Sequence, residues 1–153
     1  MNNMQEPPWS NPRFKNWIAL IRAHKAVAVA LNKALSPLDL NAAQLDMLMN
    51  IHRHPRLSQQ ELAERLLVGR SNVTMLLPQL ERQGLVLREP DGKDRRVMRL
   101  ALTPAGERLL SEALEVYAAL IERVMSASSE EECDRIGASM TRIVEMLKDT
   151  ETR

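Results

Sequence analysis

Residues Ser58–Thr103 read SQQELAERLLVGRSNVTMLLPQLERQGLVLREPDGKDRRVMRLALT, and their order decides the fold. Ser58 with Glu61 fits an S-x-x-E capping box, in which hydroxyl and carboxylate each satisfy one amide left bare at a helix start. The helix it opens runs to about Leu67. Gly69 permits a sharp turn because it carries no Cβ. Arg70 or Ser71 then opens a further helix that reaches Gln83, with Gly84 in the place of a C′ glycine. Leu85–Glu89 and Val97–Leu102 read as strands, and Asp91-Gly92 between them is a hairpin-turn dipeptide. Helix, turn, helix, strand, charged loop, strand is the layout of a winged helix-turn-helix, which places its second helix in the major groove of DNA.

The same periodic reading extends outward. On the N-terminal side, Asn41 caps a helix AAQLDMLMNIHRH, with Leu45, Leu48, Met49 and His52 on one side and Pro55 closing it. Before that, Phe14, Trp17, Ile18, Ile21, Ala28, Leu31 and Leu35 recur at helical spacing from about Asn11 to Leu35, and Ser36-Pro37 ends the run. Pro7, Pro8 and Pro12 mark an irregular arm. On the C-terminal side, Thr103 caps a helix with Pro104 at its first position and a wide apolar face from Leu109 to Val124. After a break at Ser126–Ser129, a last helix runs from about Ser129 to Lys148, with Ile136, Met140, Ile143, Val144 and Leu147 on one side. The expectation is a mostly α single domain over residues 1–153, with a two-stranded β wing. Its winged part lies at about 40–103 and its dimerisation helices at about 11–36 and 104–149. Those flanking helices carry more apolar surface than one small module covers, so they pack together and against a second copy.

Composition narrows the function. The length of 153 residues suits one domain. Hydrophobic residues make 44% and aromatics 3%, so Leu, Ile, Val, Ala and Met build the core. The single Cys133 excludes an internal disulfide and suits a reducing compartment. The first residues hold no apolar signal segment, and no apolar run reaches the roughly 18 residues of a membrane span, so a cytoplasmic protein without a membrane partner is expected. Net charge is +1, but residues 52–103 hold ten Lys/Arg against six Asp/Glu, whereas residues 104–153 hold six against eleven. The positive excess sits where phosphates would lie. There is no phosphate loop, nucleophile elbow, dinucleotide fingerprint or H-E-x-x-H, so neither an enzyme nor a cofactor is expected.

Leu57–Leu66, Ser71–Thr74, Leu80–Val86, Asp94-Arg95-Arg96 and Leu102–Gly106 together resemble the MarR family of bacterial and archaeal transcription regulators. The resemblance is dense over residues 40–110 and follows helix order over the whole chain. The D-R-R followed by L-T-x-x-G is its most specific part. The chemistry of the reading helix agrees with it. Arg70 can be bidentate to guanine, Asn72 can pair with an adenine edge, Thr74 can touch a thymine methyl, and Ser71 can reach base or phosphate. Arg95 or Arg96 can enter a narrow minor groove, with Asp94 pairing one of them, and Lys93 and Arg88 are candidate phosphate neighbours. The resemblance implies that such an Asp–Arg pair orients the wing, and which arginine does which is open at this point. Met75 stands where the family usually has a basic residue. Pro78, at a cost near 3 kcal/mol in a helix interior, predicts a kink or local unwinding near Thr74–Leu77.

The resemblance also implies a homodimer on an inverted repeat, most often a repressor, released by a small effector such as a phenol or aromatic acid. Trp17, His24, Met47, Leu48, Ile51, His52 and Tyr117 are the candidate lining of its pocket. A metal-responsive variant would draw on His24, His52, His54 and Cys133, but His52 and His54 point to different sides of a helix. A redox variant would use Cys133, which lies among Glu130, Glu131, Glu132 and Asp134, carboxylates that disfavour the thiolate. The competing class is a winged-helix protein-interaction module without a DNA-reading surface, and Arg70, Lys93, Arg95 and Arg96 argue against it.

Overall fold

The structure, a computed structural model, describes residues 6–66 and 72–151, with side chains through residue 148. Leu67, Val68, Gly69, Arg70 and Ser71 lie outside the described residues, so the expected glycine turn and two of the reading-helix candidates are not placed. Among the described residues, six α-helices and one antiparallel sheet follow in the expected order: α1 (Phe14–Leu35), α2 (Ala42–Arg53), α3 (Gln59–Arg65), α4 (Val73–Arg82), β1 (Val86–Pro90), β2 (Met98–Leu102), α5 (Pro104–Met125) and α6 (Glu130–Glu151). The chain divides into two compact units, Met1–Tyr117 and Ala118–Arg153.

Helix starts are set by short-range hydrogen bonds. The Gln44 amide donates to Asn41 Oδ1 at 2.9 Å, and the Asn41 amide donates back to Gln44 Oε1 at 3.0 Å. Ser58 and Glu61 make the same reciprocal box, at 3.2 and 2.7 Å. At α5 the Gly106 amide donates to Thr103 Oγ1 at 3.0 Å, and that hydroxyl donates to the Gly84 carbonyl at 2.6 Å. Gly84 has φ +71°, the left-handed conformation that ends α4 without a Cβ penalty. Gly106 serves a different need, since a Cβ there would overlap the Leu85 carbonyl oxygen. The first turn of α5 therefore seats directly on the chain entering β1.

The core of the first unit is aliphatic. Leu48, Leu62, Leu77 and Leu80 are fully buried, with Leu45, Met47, Ile51, Val73, Leu100 and Leu110 around them. α2 packs against α3, α4 and β2, so it is the central strut of the module. β1 and β2 pair with Val86 opposite Leu102 and Pro90 opposite Met98, and the Leu100 amide reaches back to the Leu57 carbonyl at 2.8 Å. Along α1 only Leu35 is buried, and Trp17, Ile21, Val27 and Val29 are exposed. Trp9, in a 3-10 turn at Pro8–Ser10, is exposed as well. In the second unit, Ile136, Val144, Met146 and Leu147 of α6 are exposed.

Two expectations are corrected. Asp91-Gly92 does not form a two-residue hairpin turn. With Pro90 opposite Met98, residues 91–97 form a seven-residue wing tip, and Gly92 does not adopt positive φ. Asp91 acts through its side chain instead, accepting from the Lys93 and Asp94 amides at 2.8 and 3.2 Å. Of the kink or local unwinding expected near Thr74–Leu77, the unwinding is absent, because α4 is helical from Val73 to Arg82 with Pro78 inside it. Pro78 is the sixth residue of the helix, so it forfeits one backbone bond, while buried Leu76, Leu77 and Leu80 hold the helix on both sides of it.

Candidate nucleic-acid interface

The apolar stripe of α4, Val73, Leu76, Leu77 and Leu80, is buried, which turns Thr74 and Met75 to solvent at the start of the helix. Asn72 stands at the N-cap position, half-buried, and makes no side-chain cap hydrogen bond. Its side-chain amide is therefore not used as the cap of α4. Met75 breaks the expected basic pattern, yet at 59% exposure it presents a methyl and thioether on the outer face. The sequence marks this position only as a departure from the family's basic residue, not as a contact.

The wing is shaped by carboxylates. Asp94 Oδ1 accepts from the Arg96 amide and from Arg96 Nε at 3.1 and 3.0 Å, and Oδ2 accepts from Arg96 Nη2 at 3.0 Å. That bidentate pair fixes the direction of an arginine that is 90% exposed. The hydrogen bond from the Arg96 side chain, then that from its amide, holds the Asp94 carboxyl below its ordinary range. Arg95 and Lys93 are exposed beside it.

At the wing base, Arg99 Nε donates to Asp91 Oδ2 at 2.7 Å, and Nη1 donates to Glu61 Oε2 at 3.0 Å and to the Arg56 carbonyl at 3.3 Å. Arg56 holds φ +68° and places its own guanidinium 3.8 Å from Asp91. The Arg99 hydrogen bond, followed by the Lys93 and Asp94 amides, drives the Asp91 carboxyl far below the ordinary carboxylate range. This network was not foreseen, because its members lie far apart in sequence.

Arg88, expected as a phosphate neighbour, is held as a brace within the chain. Its Nε and Nη2 donate to Glu81 Oε1 and Oε2 at 2.6 and 3.0 Å, and Nη1 donates to Gln59 Oε1 at 2.9 Å. It joins β1 to α4 and α3, and its charge is matched.

The candidate pocket is also redrawn. Met47, Leu48 and Ile51 are buried in the core, because the α2 face they occupy is covered by the winged module. His52 Nδ1 lies 2.8 Å from Glu107 Oε2 at a half-exposed position. Trp17 lines a separate shallow surface cleft with Pro8, Asn11, Arg13 and Phe14. His24 and Tyr117 come together in a cleft of about 330 Å³ lined by α1, α2 and Tyr117 of α5. Among the described residues no group of three or more His, Cys, Asp or Glu is placed to hold a metal ion. Cys133 Sγ lies 3.4 Å from the Met125 carbonyl, within the second unit. No helix among the described residues is long and apolar enough to cross a membrane.

Residues 38–97 match the MarR family. An uncharacterized HTH-type transcriptional regulator of Bacillus cereus is 35% identical over 98 residues, 64% of this chain and 65% of that protein. The HTH-type transcriptional repressor MdtR of Bacillus subtilis is 39% identical over 90 residues, 59% of this chain and 58% of MdtR. The match thus spans less than two thirds of the length of these curated relatives. Among solved structures, the transcriptional repressor CouR, bound to a 23-mer DNA duplex, superposes with a TM-score of 0.76 at 28% identity, covering 82% of this chain and 89% of CouR.

Proposed function

We propose that this chain, which belongs to the MarR family through its module at residues 38–97, is a DNA-binding transcriptional regulator, a repressor acting as a homodimer on an inverted repeat. One observation carries the reading: α4, whose start turns an outward face to solvent, packs against β1, the strand that leads into a wing whose arginine is held in a set direction by a carboxylate. Asn72, Thr74 and Met75 are the base-reading set, with Arg70 and Ser71 completing it from the segment before α4. Asn pairs with an adenine edge, and the apolar surfaces of Thr and Met suit thymine methyls. Arg96, pre-oriented by Asp94, enters the minor groove, while Arg95 and Lys93 neutralise phosphates. CouR bound to duplex DNA and the repressor MdtR, both relatives of this chain, support the assignment.

The exposed apolar faces of α1 and α6 support the dimer. Two modules on one two-fold axis would read half-sites about one helical turn apart. A small effector that releases the DNA completes the reading.

The test is selection of genomic fragments by the purified chain, then a salt titration on the best site. An enriched inverted repeat, with affinity falling steeply as salt rises, is expected. Asn72→Ala costs about 1–3 kcal/mol and relaxes the preference at one position. Arg96→Ala weakens binding with little change in the preferred sequence. No enrichment, with weak binding insensitive to salt, would overturn the reading and favour a protein-interaction module.

A further inference from the structure

From Asn72 to Leu80 the chain carries no charged side chain, so this stretch of α4 can discriminate among bases only by hydrogen bonds and apolar contact. Val73, Leu76, Leu77 and Leu80 face the core, and Met75 stands 59% exposed on the outer side. Among the described residues of the matched segment 38–97, Met75 is the only large apolar side chain left exposed. A single exposed apolar residue is ordinary on a protein surface. What sets Met75 apart is its place. Asn72 has helical backbone angles, φ −77° and ψ −22°, so Met75, three residues on, shares its face of the helix. In the major groove the apolar group on a base edge is the C5-methyl of thymine, and adenine offers the acceptor and donor that an Asn amide matches. Side chains three residues apart on a helix have Cβ atoms about 5–6 Å apart. Base pairs stack about 3.4 Å apart, so this pair spans one to two base-pair steps. The thioether is unbranched and polarizable, and it adapts to a small methyl partner. A lysine at the same position would add salt-dependent attraction to phosphate; Met75 adds none, so what it contributes is sequence choice.

We propose that Met75 determines specificity by reading the 5-methyl group of a thymine, one or two base pairs from the adenine paired by Asn72, so that each half-site must carry a methyl-bearing pyrimidine at that position. The inference rests on the reading of the chain as a DNA-binding regulator with α4 in the major groove. It has a consequence of its own. A cytosine that carries a 5-methyl group presents the same apolar knob, so 5-methylcytosine is accepted at that position better than cytosine. Modification of the DNA itself would then alter where the chain binds.

The experiment is a fluorescence-anisotropy titration of the full chain on the best duplex from the genomic selection, with each thymidine replaced in turn by deoxyuridine. That exchange removes the methyl group and keeps every hydrogen-bonding group of the base. One position in each half-site is expected to respond, with binding weakened about fourfold, the effect of burying one methyl group. Met75→Ala, at an exposed position, folds as the parent chain does and loses this response. At the same position 5-methylcytosine binds the parent chain more tightly than cytosine does, and the two are equal for Met75→Ala. No uracil-sensitive position in the parent chain, a response that survives Met75→Ala, or cytosine and 5-methylcytosine bound equally by the parent chain overturns the proposal. If Met75→Ala binds too weakly to titrate, Met75→Gln, polar and of similar length, takes its place, and a response that persists in it overturns the proposal. An enriched inverted repeat with steep salt dependence but no methyl response would sink the role of Met75 alone. Weak binding that salt leaves unchanged, with no enriched fragment, would sink the regulator reading and this inference with it.

Discussion

The side chain of Arg99 is about a quarter exposed, and its guanidinium touches the wing base, the start of α3 and the carbonyl of a residue held at positive φ. Each partner is weak ground for a stability argument at the surface, but together they fix where the wing leaves the module. Asp91 is the centre of this arrangement, and its folded-state carboxyl titrates below the ordinary value near 3.8. A depressed carboxyl stabilises the fold above its unfolded pKa, and that contribution is lost as pH falls through the folded one. Carbon-detected NMR titration should therefore find the Asp91 carboxylate still ionised well below pH 3.8, with the Lys93 and Asp94 amides shifting when it protonates. In Arg99→Ala the midpoint should rise toward 3.8, and affinity for DNA should fall without loss of the helical melt. An unchanged Asp91 midpoint in that variant would mean that Arg99 does not organise the wing. None of this was legible in the sequence. Arg99 and Glu61 are 38 residues apart, and neither position carries a local signal that names its partner.

At the scale of elements, helix starts were readable because capping is settled within four residues: Asn41, Ser58 and Thr103 each stand where the sequence places a cap. Strand pairing was readable to within a residue, but the wing tip was not. A hairpin dipeptide competes with the side-chain turns of Asp91 and Asp94, and the chain follows the carboxylates. The buried face of α2 was hard to read for a related reason. Periodicity marks Met47, Leu48 and Ile51 as a face of α2, but it cannot say which neighbour covers that face. α4 offers the test at this scale. Pro78 forfeits a backbone bond inside an otherwise continuous helix, so Pro78→Ala should raise the urea-unfolding free energy by up to about 3 kcal/mol. A loss of stability would show that the half-buried ring packs better than the restored bond compensates.

For the molecule as a whole, the positive excess lies in residues 52–103 and the negative excess in residues 104–153, a polarity suited to a surface that meets nucleic acid at one part of its sequence only. The exposed apolar residues on α6 are the ground for assembly. Ile136→Glu with Val144→Glu, both at exposed positions, should leave the helical signal intact, give a monomer by sedimentation, and weaken operator binding by about 100-fold or more as the second half-site is lost. A dimer that persists with full affinity would place the interface elsewhere. The chain has two tryptophans, Trp9 and Trp17, and both are exposed at its N-terminal side, away in sequence from the reading helix and the wing. It is thus optically self-labelled: the colour and quenching of its native fluorescence report what comes to cover the turn at Pro8–Ser10 and the start of α1.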